Sequence, residues 1–217
     1  MGRHGARLRW VVALVAATVA VLATVDRFRE REREWRSGGD AVTVTVEALL
    51  PEPDQVSDLA AAHGSRNAGK TVVGDPDDQS VLLRLHWSGP SQQGSYQVIL
   101  LDNRDLPARV LRPIVGWDAT GGTGFNWASS YEVLAERYDW LAGAAARPWS
   151  SDSLRTPDNL GAVGTRAVAD GNLVALFRMG VGAAPLTDPS HLVVAFCYVE
   201  ADGEVRWAKQ VPVPPAP

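Results

Sequence analysis

The chain has 217 residues, a formal net charge of −4, one cysteine and eight tryptophans. A single thiol excludes an internal disulfide and a cysteine-built zinc site. The acidic balance excludes a nucleic-acid binder, which needs a basic face.

Residues 1–9 form a basic tail with Arg3, Arg7 and Arg9. Trp10 to Val25, WVVALVAATVAVLATV, then runs without a charge, Gly or Pro. As a helix it covers about 24 Å, against roughly 30 Å of bilayer hydrocarbon. Counting from Leu8, with Arg9 and Arg27 reaching into the headgroups, closes most of that gap. The expectation is a transmembrane signal anchor over 10–25, with the lipid bilayer as partner. A cleaved signal peptide is the competitor. Val21-Leu22-Ala23 would tolerate cleavage, although no A-x-A triplet occurs. A buried soluble helix ranks behind both, because a core helix rarely lacks a polar face over such a length.

Three arginines precede the run and five follow it (Arg27, Arg29, Arg31, Arg33 and Arg36). By that count the domain is cytoplasmic. The first nine residues resemble a signal-peptide n-region instead, and the expectation adopted is an extracytoplasmic domain at the cell envelope. Residues 26–40 are a charged juxtamembrane stalk and linker. Asp26 to Arg36 continues the helix, supported by Glu30–Arg33 and Glu32–Arg36 and opposed by Arg27–Arg31 and Arg29–Arg33. It lies on anionic headgroups or stands in solvent. Ser37-Gly38-Gly39-Asp40 breaks it.

Roughly 175 residues remain, enough for one core-bearing domain, placed at 41–211. Ala41 to Glu47 alternates Val42, Val44 and Val46 with polar residues, as a half-buried strand does. After Pro51-Glu52-Pro53, Asp54 caps a short helix through His63, with Val56, Leu59 and Ala60 inward and Gly64 as its stop. Val81–Trp87 and Tyr96–Leu101 read as paired strands around a Gly89–Gly94 turn, and Val110–Trp117 as a third. Ser129 and Glu132 make a capping box for an inserted amphipathic helix at about 130–145, with Tyr131, Leu134, Tyr138 and Leu141 as its stripe. Thr165–Val168 and Leu173–Arg178 flank Asp170-Gly171. Leu192–Val199 and Val205–Val211 flank Asp202-Gly203. Both dipeptides suit tight hairpin turns. A two-residue turn at the second sets Tyr198 opposite Trp207. Residues 212–217 are too Pro-rich to pair. Seven or eight short strands with few helices predict a mainly β, antiparallel sandwich-like domain.

Gly64 to Thr71, GSRNAGKT, matches G-x-x-x-x-G-K-[ST], with Gly64, Gly69, Lys70 and Thr71 at the fixed positions. Val98 to Asp102 resembles an apolar strand ending in a Mg²⁺-directed Asp102. A phosphate loop requires a buried parallel strand before it and a long helix from the Lys onward. SDLAAAH upstream reads as helix, and Gly74 and Pro76 stop any helix downstream. Phosphate binding therefore stays an alternative, and the leading reading needs no cofactor.

Asp75, Asp77 and Asp78 lack the Gly and distal Glu of a calcium loop and read as a solvated turn. His63, His86 and His191 have no zinc spacing. Ser88, Ser91 and Ser95 have no nucleophile elbow, and Cys197 reads as a buried small hydrophobe. The tryptophan excess is the remaining signal. Trp117, Trp127 and Trp149, beside Asp118, Asn126 and Asp152, are candidate stacking surfaces for a glycan or protein partner, or else cover for the sandwich end. The expectation is a single-pass envelope protein whose β domain binds or scaffolds and does not catalyse. The enzyme-class alternatives are nucleotide chemistry on Gly64–Thr71, or a site assembled in three dimensions from Asp118, His191 and nearby loops.

Overall fold

The computed structural model describes residues 3–62, 79–118, 121–122, 125–126, 134–144, 162–180 and 183–215. Helix α1 is continuous from Arg3 to Ser37. No Gly or Pro interrupts it after Gly5, and it ends where Gly38 and Gly39 begin a 3₁₀ turn over Gly38–Ala41. Among the described residues no helix is long and apolar enough to cross a membrane. The described apolar side chains of α1 run only from Val12 to Val25, about 21 Å of helix.

Strands β1 (Thr43–Leu49), β2 (Ser80–Ser88), β9 (Asp170–Arg178), β5 (Arg112–Asp118) and β6 (Gly121–Gly122) form one sheet in that order. The second sheet runs β11 (Val205–Pro212), β10 (Leu192–Glu200), β3 (Gly94–Asp102), β8 (Ala162–Arg166) and β7 (Phe125–Asn126), with β4 (Arg109–Val110) also on β3. Every pairing is antiparallel. The domain is therefore mainly β, and its two sheets face each other across a shared core.

Alternation builds that core. Val42, just before β1, and Leu83, Leu85 and Trp87 of β2 meet Tyr96, Val98, Leu100, Phe196 and Trp207 of the other sheet, all buried. The rings pack tightly, with Tyr96 and Phe196 centroids 4.7 Å apart and Trp87 edge-on to Tyr96 at 5.6 Å. Their polar ends mostly find backbone acceptors: Trp87 Nε1 donates to Val168 O at 3.0 Å, and Tyr198 Oη to Gln93 O at 3.0 Å. The first sheet's outer face carries helix α2 (Pro53–Ala62), with Val56 buried against Leu82, Trp117 and Leu176. The start of α2 is satisfied by Gln55, whose Oε1 accepts from Glu52 N while Gln55 N donates to Glu52 O. Asp54, expected as the cap, lies inside the first turn.

Several expected pairings are replaced. β2 and β3 are not a hairpin: β2 pairs with β1 and β9, and β3 with β10 and β8. β8 and β9 likewise lie in different sheets, so Asp170-Gly171 is no turn and opens β9. The two crossings run side by side. Gly89 N donates to Ala169 O, Gln92 N to Ala167 O and Ala167 N to Gly94 O. Those bonds satisfy amides that two tight turns would otherwise have satisfied. Gly171 is required by contact, because a Cβ there would lie 2.2 Å from Trp87 Cζ2. The strand expected at Val110–Trp117 changes sheets at Leu111, whose N–H bonds Leu100 O at 2.8 Å.

The helix expected over 130–145 is described from 134. It is helical at 134–137, extended at Tyr138, and 3₁₀ at Asp139–Leu141. Leu134 and Leu141 are buried as the stripe requires, while Tyr131 and the Ser129–Glu132 box lie outside the described residues. The tail is ordered further than its prolines suggest, since Val213 is buried and donates to Leu192 O at 3.2 Å. Tyr198 does face Trp207, although the turn is not the two-residue one. Glu200 N donates to Glu204 O around a longer loop with Gly203 at φ +88°, and a bulge between Tyr198 and Val199 restores the register.

Candidate functional site

The most elaborate side-chain arrangement is the seam where the last turns of α1 lie on β11 and the 134–141 segment. Arg31, Glu34 and Trp35 recur at helical spacing and share one face of α1, and Gly38 opens the 3₁₀ turn that follows it. Gly38 lets the chain close onto the sheet, because a Cβ there would lie 2.4 Å from Trp207 Cδ1. The Trp35 ring packs on Tyr138, with centroids 5.7 Å apart, and the Arg137 guanidinium sits 5.3 Å over it. Tyr138 Oη donates to Trp35 O at 2.8 Å and accepts from Ala208 N at 2.8 Å. One hydroxyl thus joins helix, inserted segment and sheet edge. Burial lifts the Tyr138 phenol above its ordinary value, Cys197 adds to the rise, and the Ala208 N–H and Arg137 oppose it.

Charges extend the seam. Arg206, displaced by the bulge, reaches Glu200 at 2.5 Å, Glu34 at 3.7 Å and Glu204 at 3.8 Å. Arg31 also pairs with Glu204, and Arg137 holds Glu32 at 2.7 Å. The partners of Glu32 and Glu34 thus lie on the domain, whereas the sequence reading paired Glu32 with Arg36 along the helix. Lys209 Nζ donates to Val42 O at 2.8 Å, and α1 and the 3₁₀ turn after it lie against β11, the last strand of its sheet. Arg27, Phe28, Glu30, Arg31, Glu34 and Arg206 line a groove of about 600 Å³ on the apolar side of this seam.

The residues singled out from sequence fall elsewhere. Trp117 is 7% exposed and packs in the cluster under α2, so its ring is not an open stacking surface. Trp127, Trp149 and the whole Gly64–Thr71 stretch lie outside the described residues, as do His63 and Asp75, Asp77 and Asp78. Asp102 ends β3, an antiparallel strand, and is enclosed by Arg104. The Arg104 Nε lies 3.0 and 3.1 Å from its two oxygens, Nη2 at 2.8 Å and the backbone N at 3.0 Å. Burial alone would raise this carboxyl, but Arg104 and Arg109 hold it below the ordinary range. Arg104 also donates to Ala184 O and Pro185 O, tying the strand end to its neighbour.

Asp118 and His191 do not come together. Asp118 accepts from Thr165 Oγ1 at 2.7 Å, and Thr165 pairs with Tyr96. His191 precedes Leu192, which pairs with Asp102. Tyr96 and Asp102 stand about 20 Å apart along β3. His86 Nδ1 lies 3.1 Å from Asn172 Oδ1 on the outer face of the first sheet. Among the described residues no group of three His, Cys, Asp or Glu is placed to hold a metal ion. Cys197 is fully buried, and burial pushes its thiol up to about 12, the state of a packing residue.

Sequence reasoning passed over Trp35, Tyr138, Arg206 and Trp207 as one unit. Two signals were present: a lone tryptophan among stalk charges, and a Gly-Gly pair one turn after it. No family model, curated protein or solved structure matches this chain.

Proposed function

We propose that the protein is anchored in a membrane by a single pass of α1, and that its β domain has a non-catalytic binding or scaffolding role at the extracytoplasmic face of the envelope. The observation that carries this reading is continuity: the apolar run and the docked stalk belong to one unbroken helix. From Trp10 the run is about 24 Å long, and the Arg27 side chain at its far end is long enough to reach into the headgroups. Val12, Leu14, Val15, Val19, Val21 and Leu22 are each more than half exposed around that helix, an apolar surface that water disfavours and lipid accepts. Thr18 and Thr24 turn their hydroxyls to Leu14 O and Ala20 O at 2.8 Å, which satisfies both donors without water.

Clamped by its seam, the domain stands at a set height and orientation above the bilayer, which suits capture of a neighbouring glycan or protein. A C-terminal topology reporter, active only outside the cytoplasm, together with alkaline extraction of membranes, tests the reading. A signal from outside with retention in the pellet is expected. Release of intact protein into the alkaline supernatant, or a cytoplasmic signal, overturns it.

A further inference from the structure

We infer that the groove between α1 and Arg206 of β11 is a lipid-headgroup site selective for a zwitterionic phosphoethanolamine lipid, an inference that rests on the anchored reading above. Its position follows from the helix. Arg27 and Arg31 lie about 3 and 9 Å beyond Val25 along the axis, a range that overlaps the headgroup layer, some 5–7 Å thick on each side of the hydrocarbon.

Its chemistry follows from which charges are already used. The lining holds Arg27, Arg31 and Arg206 with Glu30 and Glu34. Arg31 is drawn to Glu204, and Arg206 to Glu200, Glu34 and Glu204. Among the described residues Arg27 and Glu30 have no ion-pair partner. The groove therefore offers one uncommitted guanidinium and, one helical turn on, one uncommitted carboxylate. A guanidinium binds a phosphate by charge-assisted hydrogen bonds, and a carboxylate accepts them from a primary ammonium. A purely anionic headgroup would leave Glu30 facing like charge. A phosphocholine would bring Glu30 a cation without an N–H to donate. Phe28, 61% exposed beside the groove, offers an apolar ring to the glycerol and upper acyl chain.

The full chain in nanodiscs of mixed phosphatidylethanolamine, phosphatidylcholine and phosphatidylglycerol tests this, with the lipids retained on the protein counted by native mass spectrometry. Phosphatidylethanolamine is expected to be enriched about ten-fold or more over its bulk share, the scale of one charge-assisted hydrogen bond. Glu30→Gln, which leaves both anchoring arginines in place, should bring phosphatidylethanolamine back towards its bulk share, with insertion unchanged. Bound lipid that follows the bulk ratio in the parent chain, enrichment of phosphatidylglycerol instead, or phosphatidylethanolamine selectivity surviving Glu30→Gln overturns the inference. Alkaline extraction of the same preparations separates the two failures. A chain that inserts without lipid preference loses only the headgroup site, whereas a chain that never inserts loses the anchor and the site together.

Discussion

Val12 to Val25 and Phe28 to Ser37 belong to the same helix but present opposite surfaces. The first stretch carries apolar side chains open on nearly every side. The second carries charges and one tryptophan, with Gly38 just beyond, set against β11 and the 134–141 segment. The backbone is the same helix throughout, and what changes is the environment each set of side chains requires. Apolar groups without a protein partner form an exposed patch of the kind that marks an interaction surface, protein or membrane. Charges next to a partner need that partner's counter-charges, and here the domain supplies them. The far end of residues 26–40 is therefore also part of the domain's surface.

The contrast can be broken from either side. The largest effect is expected from Val15→Arg with Val19→Arg, which adds about 6 kcal/mol to the cost of insertion. Membrane recovery should collapse, while tryptophan emission and the urea midpoint of the domain stay as in the parent. A collapse of the midpoint instead would show the apolar half to be part of the folded core. Trp35→Ala is next. Loss of a half-buried ring against Tyr138 and Arg137 should lower stability by about 2 kcal/mol without affecting insertion. Trp35 and Cys197 belong to the same cluster, so labelling of the Cys197 thiol by a disulfide reagent should speed up in that variant; an unchanged labelling rate would separate the clamp from the sheet beneath it.

Tyr138→Phe keeps the ring and removes the hydroxyl shared by Trp35 O and Ala208 N. About 1–2 kcal/mol should be lost in chemical denaturation, because the Ala208 N–H loses its acceptor. Asp102 supplies a control remote from the helix. Its folded pKa is depressed, so its contribution is present above its ordinary value near 4 and is lost as pH falls through the folded value. Asp102→Asn should flatten the acid limb of the stability profile whether or not α1 is docked. The smallest effect is expected from Arg31→Gln. Both partners of the Arg31–Glu204 pair are about half exposed, so the change in midpoint should stay within about 1 kcal/mol and vanish in high salt.

Much of the domain was legible one segment at a time. The Val42–Val44–Val46 alternation, the burial of Val56, and the Tyr198–Trp207 pair all follow from periods of two or 3.6 along the chain. Connectivity between segments was not legible. β2 and β3 follow one another in the chain and each has five apolar residues in nine, a composition that fits whether they paired with each other or ran through the centres of separate sheets. Asp170-Gly171 carries turn chemistry, but its glycine serves the Trp87 ring. The seam was equally hidden, because Glu32 has a plausible partner four residues along its own helix and a better placed one in Arg137.

The sequence alone determined a long apolar-then-charged helix, a β-rich domain, and a buried unreactive thiol, because each depends on residues near one another in the chain. Only the tertiary structure decided which strands share a sheet and that the stalk is fastened to β11. It also decided that Arg27 and Glu30, beside a groove, have no ion-pair partner among the described residues. Those outcomes depend on residues far apart in sequence competing for the same contacts, and no local pattern records which of them wins.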